Sequence, residues 1–139
     1  MDVRVYKRGD ELVFDEYFRY LEEHRKMIPD SFAEFVCDPE RYLPGENSLN
    51  GAELVDLRHQ PQIETLTLKF KSMNGRTFNF RFERVIVLKV TYPSETLRCR
   101  KLYRHQLYIH RKGLYRYEFL SVTHDRIVVD FMNLKITVK

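Results

Sequence analysis

Residues 65–82 alternate with a period of two on both sides of a short polar break. Leu66, Leu68 and Phe70 precede Met73-Asn74-Gly75, and Phe78, Phe80 and Phe82 follow it, with Thr65, Thr67, Lys69 and Lys71 on the other parity. A period of two belongs to strands with one buried face, so the segment reads as an antiparallel pair. Parity also selects the loop. A two-residue turn at Asn74-Gly75 would set Phe70 against Asn79, apolar row on polar row. A three-residue loop sets Phe70 against Phe78, Leu68 against Phe80 and Leu66 against Phe82. Its last residue must be left-handed, and the chain has Gly75 there.

The pattern continues to the C-terminus. Strands are expected over 53–58, 63–71, 77–90, 98–111, 114–122, 126–131 and 134–138. A three-residue loop at Arg111-Lys112-Gly113 pairs Ile109 with Tyr115, Leu107 with Tyr117 and His105 with Phe119. Across Thr123-His124-Asp125 the same rule pairs Phe119 with Val129 and Tyr117 with Phe131, so one apolar row runs over three strands. For the last segment two readings stand. A hairpin at Met132-Asn133 would pair Phe131 with Leu134, and a bulged single strand is the alternative.

The period changes in the first half. A two-residue turn at Arg8-Gly9 sets Val5 against Leu12 and Val3 against Phe14. From about Asp15, Phe14, Phe18, Leu21, Arg25 and Ile28 fall at helical spacing, and Pro29 ends the helix. Ser31 and Glu34 have the spacing of a capping box for a second, short helix. Asp38-Pro39 reads as a cap followed by a first turn. Together these readings give an α+β fold in one domain, residues 1–139. Short N-terminal helices, about 15–44, pack on an antiparallel meandering sheet of about six strands, about 52–139.

The 139 residues are enough for a core without staples, since a domain of this size buries about 68% of the surface its unfolded chain exposes. Hydrophobic residues at 43% and charged residues at 32% suit a globular chain, and no apolar run of membrane-spanning length occurs. No secretory leader is visible, and two cysteines, Cys37 and Cys99, make no disulfide framework, so a cytoplasmic location is expected. The net charge of +4 is unevenly spread. Residues 1–64 hold 8 basic and 15 acidic residues, net −7, and residues 65–139 hold 16 and 5, net +11. Either the halves face each other and cancel, or a positive face attracts an acidic partner.

The densest basic tract supplies the candidate binding face: Arg98, Arg100, Arg104, Tyr108, Arg111, Lys112 and Arg116. Between positions 98 and 116 the sequence has no acid until Glu118, and Tyr108 falls opposite Arg116 in the predicted register. Such a surface could hold phosphates by charge and stack a base on Tyr108. A solvated sheet face with arginine–tyrosine stacking is the structural alternative. The five histidines have no metal-ligand spacing, and glycine-rich phosphate loops are absent, so no metal and no cofactor are expected. No nucleophile is set beside a base by spacing, so no catalytic residue is assigned.

Ser48-Leu49-Asn50-Gly51-Ala52 joins the helices to the sheet. In layout the chain resembles a loose group of small, mostly uncharacterised bacterial proteins. In these an N-terminal helix ends near a proline, a Ser-Leu-His-Asp-Ala-type motif opens the first main strand, and a β-meander follows. Here Asn50-Gly51 stands where that pattern has His-Asp, which removes its acid–base pair. Ser48, Asn50 and Gly51 are therefore assigned to a structural turn. Some relatives resemble immunity proteins of toxin systems, so the resemblance implies a stand-alone cytosolic protein of that type. The function expected is a non-enzymatic protein-binding module, its partner a protein, and an acidic one. Nucleic-acid or phosphate binding through the basic face is the first alternative, and a small enzyme with an unseen pocket the second. Leu102, Leu114, Leu120, Val122, Val85 and Val87 fall off the core row, which leans the expected assembly to a homodimer.

Overall fold

The computed structural model describes residues 6–8, 11–91 and 101–139, the first hairpin by its backbone alone. That hairpin pairs β1 (Tyr6–Arg8) with β2 (Glu11–Val13). Its register is Lys7↔Leu12 and Arg8↔Glu11, so Leu12 pairs with Lys7 in place of the expected Val5, and Val3 and Val5 lie outside the described residues. Helix α1 (Asp15–Glu23) buries Tyr17 and Leu21, four residues apart, and carries Asp15 and Glu16 at its positive N-terminal end. It stops at Glu23, short of the predicted Ile28, and Arg25–Met27 form a 3-10 turn. Helix α2 (Asp30–Val36) starts from Pro29. The capping box is not made, because Ser31 lies inside the helix and donates to Asn133 Oδ1 at 3.1 Å. The Asp38 cap is made: Oδ1 accepts from the Glu40 N–H at 3.0 Å, opening a 3-10 turn over Pro39–Arg41.

Among the described residues eight antiparallel strands follow: β3 (Glu53–Gln60), β4 (Thr65–Lys71), β5 (Thr77–Glu83), β6 (Val87–Thr91), β7 (Leu102–Arg111), β8 (Leu114–Ser121), β9 (Arg126–Phe131) and β10 (Asn133–Val138). They form two sheets in the orders β10-β5-β4-β3 and β6-β9-β8-β7, two strands more than the sequence suggested. The difference lies in two bends. β5 and β6 run on through Arg84, whose φ is 52°, and β9 and β10 run on through Met132. These two bent strands pair with each other along both sheets. Leu134 meets Phe82 and Ile136 meets Phe80 on one side of the bend, and Leu88 meets Val129 on the other. Ile86 N–H donates to Asp130 O and Met132 N–H to Glu83 O across it. The expected β9–β10 hairpin is therefore absent, and the reading of one interrupted strand describes the path.

The predicted pairing of β4 with β5 and of β7 with β8 is observed, with Gly75 at φ 86° and Gly113 at φ 91°. The β8–β9 pairing is displaced by two residues, to Tyr117↔Val129 and Phe119↔Ile127. The three-residue loop is Val122-Thr123-His124, and His124 supplies the left-handed conformation at φ 68°. The displacement is even, so the same residues still face inward. A bulge between Leu102 and Arg104 shifts parity and turns Leu102 into the core.

The two apolar faces meet. Phe80 stands edge-on to Tyr117 and Phe119, and Phe70 lies 5.2 Å from Phe119 by ring centroids. Phe32 of α2 packs on Tyr115 and Phe131, and Phe35 on Phe78 and Phe80. The sheets also join where Gly51 N–H donates to Leu102 O and Leu102 N–H to Ala52 O, both at 2.8 Å. Tyrosines close the outer edge of β7, as the Tyr17 and Tyr20 hydroxyls accept from Leu107 and Ile109 N–H at 2.8 Å. Among the described residues no helix is long and apolar enough to cross a membrane.

Phe80 touches five rings and has no solvent exposure. Phe80→Ala should lower unfolding free energy by about 3–5 kcal/mol in denaturant titration. A loss below about 1 kcal/mol would contradict the packing. Gly113→Val meets open space but the wrong φ. It should cost about 1–2 kcal/mol, whereas Gly113→Asn should cost less, since asparagine tolerates that region.

Candidate functional site

The outer row of β7 carries Arg104, Gln106, Tyr108 and His110. Cross-strand pairing sets Gln106 beside Glu118 and Val128, and Tyr108 beside Arg116 and Asp130. The basic tract thus meets Glu118, two residues past its end on β8, and Asp130 from β9. Arg116 holds Asp130 with two hydrogen bonds, Nε to Oδ1 at 2.7 Å and a terminal nitrogen to Oδ2 at 3.1 Å. His110 Nε2 lies 3.3 Å from the same Oδ1. Arg126 reaches Glu118 at 2.6 Å. Burial alone would raise the Asp130 carboxyl, but the bonds from Arg116 and His110 hold it below its ordinary value.

Of the predicted face, Tyr108 is only 8% exposed and its hydroxyl accepts from Gln106 Nε2 at 2.7 Å. Arg104 and Arg116 are half-buried, and Arg111 and Lys112 are exposed at the hairpin tip. Arg98 and Arg100 lie outside the described residues, as does Cys99. The face is therefore a knitted surface of paired side chains, with its open cations gathered at the β7–β8 turn. Half-buried Cys37 is pushed above its ordinary pKa by burial, with Arg25 opposing. Among the described residues no three His, Cys, Asp or Glu side chains are grouped to hold a metal ion.

Beneath this face lies a polar cluster in the core. His105 has no exposure and stacks on Tyr42, with ring centroids 4.4 Å apart. Its Nε2 lies 2.9 Å from the Arg41 carbonyl, which can only accept, so Nε2 carries the proton. Nδ1 then accepts from the Tyr117 hydroxyl at 2.6 Å. Tyr42 donates to Val36 O at 2.6 Å, which makes Tyr17 the donor in the 3.0 Å Tyr17–Tyr42 bond. The predicted turn joins the same cluster. Ser48 Oγ accepts from the Asn50 N–H, Asn50 Nδ2 donates to Tyr42 O at 2.7 Å, and Gly51 turns the chain at φ 87°. These contacts position backbone rather than reacting groups. Sequence spacing placed His105 in the core row but could not show its partners, because Arg41 and Tyr117 lie on other elements.

A second surface escaped the sequence reading. The outer face of the β3-β4-β5-β10 sheet exposes Arg58, Lys69, Lys71, Arg81 and Lys135 on a ground of threonine and asparagine. The signal was the polar parity of residues 65–71, legible as a solvent face but not as part of a four-strand charge pattern. Of the off-row apolar residues that suggested a homodimer, Leu102 and Val85 are buried within one copy, Leu114, Leu120 and Val87 are half-buried, and Val122 is exposed.

No family model and no curated protein matches the chain. Among solved structures it is similar to an uncharacterized protein from Neisseria gonorrhoeae, with a TM-score of 0.50 and 13% sequence identity over 63% of this chain and 90% of that one. At that identity the likeness shows the fold alone: an α+β architecture of short helices on antiparallel sheets.

Burial pushes the His105 pKa from 6.5 down to about 4, against the opposing pull of the Arg41 carbonyl. The folded state therefore binds this proton more weakly than the unfolded chain. Its contribution to stability is complete above about pH 6.5 and is lost as pH falls towards 4. That loss should amount to about 3 kcal/mol. Urea titrations at pH 7 and pH 4.5 should show it, and His105→Gln should flatten this part of the profile. An unchanged profile in the variant would show that other groups set the acid response.

Proposed function

We propose that this chain is a non-enzymatic protein-binding module of the bacterial cytoplasm, of immunity type, whose partner is an acidic protein. The observation that carries the reading is the division between a rigid interior and charged outer faces. Inside, the described polar side chains such as His105, Tyr17 and Tyr42 are spent on holding backbone. Outside, sheets whose strands are mutually hydrogen-bonded present fixed rows of arginine and lysine. Charge carried on a fixed strand backbone favours association with an acidic surface, because the sheet itself needs no rearrangement on binding. Glu118 and Asp130, set within the outer face of β7–β9, weigh against a phosphate backbone as the ligand there, since a polyanion meets them as like charges.

Immunity-type proteins act on a partner encoded beside them, which makes the reading testable. Co-expression with the products of the genes flanking its own should give a stoichiometric complex on gel filtration at about 0.1 M salt. Association should slow as ionic strength rises, because screening shortens the reach of surface charge. If no flanking product binds, the immunity reading fails. A complex insensitive to salt would remove the charge argument.

A further inference from the structure

We infer that the outer face of the β3-β4-β5-β10 sheet is the docking surface, and that it fits an acidic protein surface bearing scattered basic residues. The inference rests on the binding-module reading and adds the face and the partner's charge pattern. Cross-strand register sets Arg58, Thr67, Arg81 and Lys135 in one row across all four strands. At the usual strand spacing that row is about 14 Å long. Its three cations are well exposed, at 76% for Arg58, 52% for Arg81 and 62% for Lys135. The next row holds Asp56, Lys69, Asn79 and Thr137, and the one beyond begins Glu53, Lys71 and Thr77.

The sign pattern selects the partner. Asp56 lies 3.2 Å from Arg58, and Glu83 lies 3.6 Å from Arg81 and 3.8 Å from Lys135. Exposed pairs of this kind are worth little in water, so a partner's carboxylates can replace them without a large loss. The cations exceed the acids, so the face attracts negative surfaces. Yet Glu53, Asp56 and Glu83 interrupt it at fixed positions. A nucleic-acid backbone is negative throughout and meets these carboxylates as repulsion. Among the described residues this face presents no aromatic side chain from the rows above on which a base could stack. A protein can set its own lysines and arginines against the three acids, which turns the interruption into a register mark. The opposite sheet offers less, because Gln106, Tyr108, Glu118 and Asp130 on its outer face are each less than 10% exposed.

The test is an NMR titration of the full chain with two probes. One is a 20-residue peptide repeating Glu-Glu-Lys-Glu, and the other a 20-base-pair DNA duplex of random sequence. The peptide should shift the amides of Arg58, Thr67, Lys69, Arg81 and Lys135. Arg81→Glu with Lys135→Glu should weaken it about tenfold or more, and the milder Arg81→Gln with Lys135→Gln should weaken it less. Both variants should melt within a few degrees of the parent. Arg111→Glu with Lys112→Glu, at the β7–β8 tip, should leave the affinity within twofold. Peptide shifts that map to the β7–β8 tip instead would overturn this face while leaving the binding-module reading intact. Tighter duplex binding through the same residues would replace the protein partner by a nucleic acid. No response to either probe would remove the surface, and the co-expressed complex would then decide whether the broader reading also falls.

Discussion

The hydrogen bond from His105 Nε2 to the Arg41 carbonyl ties the helical layer to the sheets. Arg41 closes the 3-10 turn after α2, and its carbonyl also accepts from Leu49 N–H at 2.9 Å. One backbone oxygen thus joins the helical segment, the turn at residues 48–51 and β7. The imidazole is held between Tyr42 and Tyr117, and Tyr42 in turn reaches Tyr17 of α1. Every proton in this chain of contacts has an acceptor that can take it. One buried acceptor, Asn50 Oδ1, has no hydrogen-bond partner, so the paired groups of His105, Tyr117, Tyr42 and Tyr17, rather than the turn, specify the packing here. The Ser48-Asn50-Gly51 turn gains its meaning from this cluster. Asn50 ties Tyr42 to the turn, and Gly51 passes the chain to Leu102, where the two sheets join.

Two bent strands do the rest. Because residues 77–91 and 126–138 cross from one sheet to the other while paired, neither sheet can slide without breaking the other's ladder. That coupling lets two four-strand sheets close over an aromatic core with modest help from helices. It also exposes two faces of different character. On one, Asp130 and Glu118 lie between arginines and are largely buried. On the other, the acids sit among open cations.

Much of this was legible in the chain. Parity decided the β4–β5 and β7–β8 registers, because a one-residue slip would have reversed every side chain. It could not detect a slip of two residues, which leaves the buried row unchanged, and the β8–β9 ladder is displaced by that amount. The glycines at 75 and 113 announced their turns, but His124 took the same conformation without any such signal. The bend at Met132 was ambiguous for a related reason. Phe131 and Leu134 could pair with each other or each with a different sheet, and local pattern does not rank long-range partners. Ser31 failed as a cap because the helix begins one residue earlier, after Pro29, which leaves Ser31 in its first turn with its hydroxyl donating to Asn133, 102 residues away. The basic tract was read correctly as a run in sequence. Glu118 follows it two residues on, but Asp130 arrives from β9, which only the register brings alongside.

The uneven charge of the two halves survives folding as a division between layers. Asp15, Glu16, Glu22, Glu23, Asp30 and Glu34 are exposed on the helices. The ion pairs seen on the sheets use the sheets' own acids, Asp56, Glu83, Glu118 and Asp130. Of these acids only Asp56 comes from the acidic front half, so the helical carboxylates are not spent on the ion pairs seen on the sheets. A molecule built this way has a negative helical side and positive sheet faces, and such a field orients an approaching protein before contact. Orientation narrows the set of encounters to those presenting an acidic surface to a sheet. The fixed carboxylates on the β3-β4-β5-β10 face then discriminate among those encounters, since a partner without matching cations must bury like charges against them.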